Sequence, residues 1–130
     1  MKNIEEARSY FQNDHFATEN GAVIEELGEN YAVCSLQLTE HHRNALGNVM
    51  GGVLFTLADF SFAVASNFGK RPTVSTSSQI TFLRAAKGNR LTARAEMIRE
   101  GRTTVYYEIS VFDEPGNLVA RVTASGSIVG

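Results

Sequence analysis

The sequence predicts an α+β fold in which one long central helix is wrapped by a curved antiparallel sheet of about six strands. Two observations lead there. Residues 48–69, NVMGGVLFTLADFSFAVASNFG, form a single apolar run. Its only charge is Asp59, and no other side chain between Arg43 and Lys70 is charged at neutral pH. A helix apolar nearly all round has to be buried nearly all round. The second half of the chain is strand after strand, with period-2 alternation: Leu91, Ala93, Ala95 and Met97 share one face, Thr92, Arg94 and Glu96 the other. Short antiparallel strands must curve to cover such a helix.

The elements follow in order. Residues 1–15 form an N-terminal helical segment of one domain spanning 1–130, with Ile4, Ala7, Arg8 and Phe11 near helical spacing over residues 2–14. AVIEEL and YAVCSLQLT read as two strands joined by a tight turn at Gly28-Glu29-Asn30. A loop, EHHRNALGN, leads into the long helix, which ends at FGKRPT with Gly69 as a C-cap and Pro72 beyond. Four strands follow: TVSTSSQITFLR, NRLTARAEMIRE, TTVYYEISVFD and NLVARVTASGSIV. Turn chemistry separates the four, at Lys87-Gly88-Asn89, Glu100-Gly101-Arg102 and Glu114-Pro115-Gly116-Asn117.

Composition removes several function classes. The 130 residues suit one domain with a real core. Lysine and arginine are scattered and the formal net charge is −2, so neither nucleic acid nor a membrane surface is an expected partner. Residues 49–68 could span a bilayer by length, but two glycines, Asn67 and Asp59 argue against it. The single cysteine, Cys34, forms no internal disulfide and reads as a small core hydrophobe. No apolar leader follows Met1, and a cytoplasmic location is expected. Adjacent His41 and His42 lack metal-ligand spacing, so no metal is expected.

The helix run carries the chemistry. Glycines at a helix start allow close approach to the backbone, and the first-turn N–H groups point outward with the positive end of the helix dipole. Gly51 and Gly52 therefore suit stabilisation of an oxyanion. Asp59 has no basic residue within a helical turn, and a carboxylate leaving water unpaired costs several kcal/mol. A general base or nucleophile in an apolar pocket explains it. Gly51 and Asp59 are separated by about 12 Å of helix rise, too far to act on one carbonyl within one chain. If both serve one reaction, two antiparallel helices about a two-fold axis must share the site, and the protein is a homodimer with two such sites. Asn44, in the loop before the helix, offers an amide to orient a carbonyl or water.

NALGNVMGGVLFTLAD resembles the signature of hot-dog-fold acyl-CoA thioesterases of the phenylacetate-degradation type, in which an Asn stands six residues before His-Gly-Gly and an Asp nine residues after that His. Asn44, Gly51, Gly52 and Asp59 match in identity and spacing, and residues 78–130 look like the family's C-terminal half. The resemblance implies a hot-dog fold and hydrolysis of an acyl- or aryl-acyl-CoA to the free acid and CoA. The Gly51 N–H would polarise the carbonyl, and the partner's Asp59 would act as base or nucleophile. Asn44 would hold carbonyl or water, and Ser75 would lie near the acid. CoA contacts would fall on Arg84, Lys87 and Asn89 and on the turn of Arg99, Gly101, Arg102 and Thr103. No cofactor is implied beyond the CoA of the substrate, and assembly to a homodimer, and further to a tetramer, is expected. The pocket wall is expected from Met50, Leu54, Phe55 and Phe62. One departure stands out: Met50 occupies the usual histidine position and can neither donate a hydrogen bond nor carry charge. Two rivals therefore remain: a non-catalytic acyl-CoA or hydrophobic-ligand binder, and a hot-dog dehydratase, for which no histidine heads the helix.

Overall fold

A computed structural model describes residues 2–130, leaving Met1 of the expected helical segment outside. The elements run α1 (Ile4–Phe11), α2 (His15–Glu19), β1 (Ala22–Gly28), β2 (Tyr31–Gln37), a 3-10 turn (Glu40–His42), α3 (Gly51–Asn67), β3 (Thr73–Phe82), β4 (Arg90–Glu100), β5 (Thr104–Phe112) and β6 (Leu118–Ile128). All six strands join one antiparallel sheet in the order β1-β2-β4-β5-β6-β3. The helix is the crossover that carries the chain from β2 to the far edge, where β3 pairs only with β6.

The alternation seen in the sequence is what seats α3. Leu91, Ala93 and Ala95 of β4, Ala32 and Cys34 of β2, and Tyr107, Ile109 and Val111 of β5 are all fully buried. From the helix, Leu57, Ala58, Ser61, Val64 and Ala65 are equally inaccessible. Each such Leu contributes about 1.5–3 kcal/mol by leaving water. The strand alanines leave room for the helix to lie close on the sheet, where Phe62 meets Tyr107 edge to face with ring centroids 5.2 Å apart. The β4 pattern breaks one residue early. Met97 is only half-buried, beside a register shift between Met97 and Arg99, and Ile98 is exposed on the face already shown by Thr92, Arg94 and Glu96.

The helix stops where its chemistry changes. Gly69 adopts the left-handed conformation, with φ 64°. Asn67 ties the last turn to β3 by accepting from the Thr73 N–H at 2.8 Å and donating to the Ala63 carbonyl at 2.8 Å. At the other end of the chain, α1 is capped by Asn3, whose side chain accepts from the Glu6 N–H at 2.9 Å. Arg8 donates twice to the Ile24 carbonyl, at 3.0 and 2.8 Å, and fastens α1 to β1. The short α2 is absent from the sequence reading, because five residues are too few to show a period.

Two surfaces remain. The outer sheet face is polar, with Arg90–Glu25, Arg94–Glu96 and Arg121–Glu108 ion pairs at 3.0–3.1 Å. The ten-residue β3 instead presents an open edge with Val74 and Phe82 about half exposed. Among the described residues, no helix is long and apolar enough to cross a membrane.

Candidate active site

The loop before α3 is built around Asn44. Its side-chain oxygen accepts from the N–H groups of Leu46, at 3.0 Å, and Asn48, at 3.1 Å. Its own N–H donates to the Asn48 carbonyl at 2.8 Å, and Gly47 supplies the left-handed turn with φ 85°. The Asn44 oxygen is thus occupied in shaping the loop, which leaves its NH2 as the group able to meet a ligand. His42 is a buried strut. The Thr39 N–H donates to Nδ1 at 3.0 Å, so the ring is neutral and its Nε2–H donates to the Asn20 carbonyl at 2.6 Å. The His42 carbonyl in turn accepts from the Met50 N–H at 3.0 Å, which sets where the helix begins.

The two glycines at that start differ. A Cβ on Gly51 would lie 2.8 Å from the Phe82 ring, whereas one on Gly52 would meet nothing within 4 Å. Gly51 therefore sits beneath β3's last residue, and Gly52 faces open space. No side chain caps this terminus; Val53 is the first N–H of the helix to find a partner, the Met50 carbonyl at 3.0 Å. Gly51 and Leu54 border a recess of about 400 Å³ together with Val49, Phe82 and Arg84. Leu54 is otherwise buried in the core.

Asp59 opens elsewhere, into a second recess of about 400 Å³ between α3 and α2. Phe55, Thr56, Phe60 and Ala63 line it from the helix, and Asp14, His15, Phe16 and Ala17 close it from α2. The carboxylate is exposed at the mouth but walled by apolar groups. Burial raises its pKa above the ordinary 3.8, the negative charge of Asp14 raises it further, and among the described residues no cation offsets either effect. A third recess of about 470 Å³ continues along the helix past Phe16 and Thr56 to Met50, Gly52 and Val53, with Asn20, Leu36, His41 and His42 behind.

The residues expected to hold CoA fall into two sets. Lys87 and Asn89 belong to a turn fixed by Asp113 and Glu114, which accept from the Lys87 N–H at 3.0 Å and the Asn89 N–H at 2.8 Å. Arg43 reaches this turn, donating to Gly88 O and Asn89 Oδ1 at 3.3 Å each, so it lies at the N-terminal end of α3 with Arg84. The turn of Arg99, Gly101, Arg102 and Thr103 lies at the other end. Arg71, just after the helix, donates to the Arg102 carbonyl at 3.1 Å, and Ile128 donates to Thr103 at 2.9 Å. The 17 residues of α3 put about 25 Å between these ends.

Several expectations change. Phe62 is not a pocket wall in this chain but a core residue only 2% exposed. Ser75 stands exposed at the β3 bulge opposite Gly126 and is not among the residues around Asp59. Cys34 is fully buried and its thiol is pushed up to about 12 by burial, which makes it inert, as a core hydrophobe should be. Sequence reasoning missed Arg43, whose partners are 45 residues away, and α2 with Asp14, His15 and Phe16. An exposed phenylalanine in a polar segment was the only sequence sign of α2.

Comparison with known proteins agrees with this architecture. The model of the thioesterase superfamily matches residues 46–120. Acyl-coenzyme A thioesterase PaaI of Escherichia coli K12 is 33% identical over 115 residues, covering 88% of this chain and 82% of its own. A putative esterase of Archaeoglobus fulgidus is 32% identical over 119 residues, covering 90% and 77%. The solved E. coli PaaI protein, from the phenylacetic acid degradation operon, superposes with TM-score 0.91 at 30% identity over 97% of this chain and 92% of that one. A hypothetical thioesterase of Streptococcus pneumoniae, solved with coenzyme A, gives TM-score 0.84 at 26% identity over 92% and 97%. The curved sheet around one helix, the glycine pair at its start and these matches together place the chain in the thioesterase superfamily, as a PaaI-like hot-dog protein.

Proposed function

We propose that the protein hydrolyses an acyl- or aryl-acyl-CoA thioester at a site shared by two copies of the chain. The observation that carries this is Asp59: an acid that no cation among the described residues offsets, beside aromatic walls, on the helix whose first turn leaves backbone donors free. PaaI of E. coli is named for this reaction, and the S. pneumoniae relative was solved with coenzyme A.

In the reaction, Asp59 takes a proton from water as the water oxygen bonds to the thioester carbonyl carbon. The Gly51 N–H holds the oxyanion, aided by the positive end of the helix. The carbonyl re-forms, the C–S bond breaks with its electron pair on sulfur, and the CoA thiolate takes up the proton. A carboxylate with a raised pKa is a better general base near neutral pH than an ordinary one. The Asn44 NH2 helps hold carbonyl or water. The apolar recess beside Asp59 receives the acyl group.

A two-fold axis between antiparallel α3 helices brings Gly51 of one chain to Asp59 of the other. The same axis moves the Arg99–Thr103 turn of one chain toward the Arg84, Lys87 and Asn89 side of its partner, so both sets of CoA contacts serve one site. The open β3 edge provides a continuous pairing surface for this dimer. Met50 becomes a soft wall beside the substrate where relatives of this type place histidine.

The test is a thioester-cleavage assay over a panel of acyl- and aryl-acyl-CoAs, with Asp59→Asn as the control. Turnover that falls at least about 100-fold in the variant supports the reading. Saturable acyl-CoA binding without Asp59-dependent turnover identifies a binder instead.

A further inference from the structure

The recess beside Asp59 and the one beside Met50 share two walls, Phe16 and Thr56. They are two chambers of one groove along α3, and Phe16 stands between them. This residue is 75% exposed, so the core does not need it, yet the backbone that carries the ring is held in place. The Phe16 carbonyl accepts from the Asn20 side chain at 2.7 Å and from the Asn20 N–H at 3.3 Å. Asn20 is itself pinned: His42 Nε2 donates to its carbonyl at 2.6 Å, and His41 Nε2 bonds its side-chain oxygen at 3.0 Å. The result is a five-residue helix held rigidly against the loop that starts α3.

The same bonds determine what the far chamber accepts. Asn20, His41 and His42 turn polar atoms to one another and to the backbone, and the Thr56 hydroxyl donates to the Gly52 carbonyl at 2.8 Å. What remains for an occupant is the apolar surface of Phe16, Leu36, Met50 and Val53. A polar or charged group there would lose water without gaining partners. Gly52 adds room, since nothing stands within 4 Å of where its Cβ would be.

We infer that Phe16 is a specificity-determining residue: it separates the carboxylate chamber from an apolar chamber about 470 Å³ in volume and so sets the length of acyl chain the site accepts. Compact acyl groups fill the Asp59 side alone. A longer aliphatic chain must pass the Phe16 ring to reach the wall at Met50. The inference rests on the thioesterase reading above.

The experiment compares kcat/KM over straight-chain acyl-CoAs of increasing length for the wild type, Phe16→Ala, Phe16→Leu and Phe16→Ala/Val53→Phe. With Phe16→Ala, the ratio of long-chain to short-chain kcat/KM rises about tenfold or more, a methylene or two of added apolar contact being enough for that. Phe16→Leu falls between, and the added Val53→Phe, by filling the far chamber, reverses the gain. An unchanged profile in Phe16→Ala, or a uniform loss at every length, overturns the role of Phe16 while leaving the thioesterase reading intact. Absence of turnover by the wild type on every substrate overturns both. Thermal unfolding of each variant checks that the fold is retained.

Discussion

Gly51 and Asp59 lie on the same helix but open into different recesses, Gly51 beneath Phe82 and Asp59 beneath α2. The helix rise between them, about 12 Å, is several times the reach of a hydrogen bond. Under the proposed mechanism each chain therefore contributes half of two sites rather than the whole of one.

Subunit mixing tests this directly. Gly51→Pro removes the proposed oxyanion donor with little effect on the helix. Position 51 is the first helical residue, where proline is accepted, and Met50 already has the extended backbone that a following proline requires, with φ −62° and ψ 139°. The exposed Phe82 ring has to move aside. Gly51→Pro and Asp59→Asn should each lose about 100-fold or more in kcat. After subunits are exchanged, the mixture should regain about a quarter of wild-type activity, because half the dimers are mixed and each has one intact site. Recovery that stays at background would place both groups in one chain's site.

The rate should follow the ionisation of Asp59. A general base works when deprotonated, so kcat/KM should rise with pH through a value above the ordinary carboxylate range. Asp14 is one cause of the upward shift, and His15 is the other titratable group on that wall. Asp14→Asn should move the acid limb to lower pH. Burial is the larger cause, so most of the displacement should remain in the variant. A pH–rate profile of both proteins, measured on one substrate, decides this; an unmoved limb would show that Asp14 does not act on the base.

Met50 is about half exposed and borders the groove beside His41 and His42. Met50→His should keep the fold, because no core contact is lost, and it restores a donor at the head of the helix. A charge-assisted bond to substrate is worth about 1.5–3 kcal/mol, so an increase in kcat/KM of about tenfold is expected. Unchanged kinetics would mean that methionine is an adapted replacement in a site that no longer needs the imidazole.

The elements that were legible in the sequence are those with a long or strict period. β4 starts at Arg90 and β6 ends at Ile128, each within a residue of the expected bounds, because alternation and Gly-containing turns fix them. The apolar run around Asp59 announced the central helix, though Asn48–Met50 proved to be its approach, shaped by Asn44 and His42. The less legible features depend on distant partners. Phe62 and Phe55 look alike in the helix run, but Tyr107 on β5 makes one of them core while α2 leaves the other beside Asp59. Arg43 acquires its place only when Gly88 and Asn89 come to it. The β4 bulge between Met97 and Arg99 leaves no mark in the sequence, which carries neither glycine nor proline there.

Two carboxylates should respond to pH with opposite sign. Asp59 has its pKa raised in the folded protein, so the native state holds that proton more tightly than the unfolded chain does. Its stabilising contribution is complete below the unfolded value of 3.8 and is lost as pH rises through the folded value. Asp59→Asn never ionises, so it should unfold at a higher temperature than the wild type at neutral pH, and the gap should close as the pH approaches 3.8. Asp113 behaves in reverse. Burial pushes its pKa up, but hydrogen bonds from the backbone of Lys87, Asn117 and Gly116 and from the Asn117 side chain outweigh that and hold it below the ordinary value. Its contribution is present above 3.8 and disappears as pH falls through the folded value, so Asp113→Asn should lower the melting temperature at neutral pH and matter less in acid. Melting temperatures of the three proteins from pH 3 to pH 7 test both assignments, and a stabilised Asp59→Asn that has lost its turnover would mark Asp59 as a group kept for chemistry at a cost in stability.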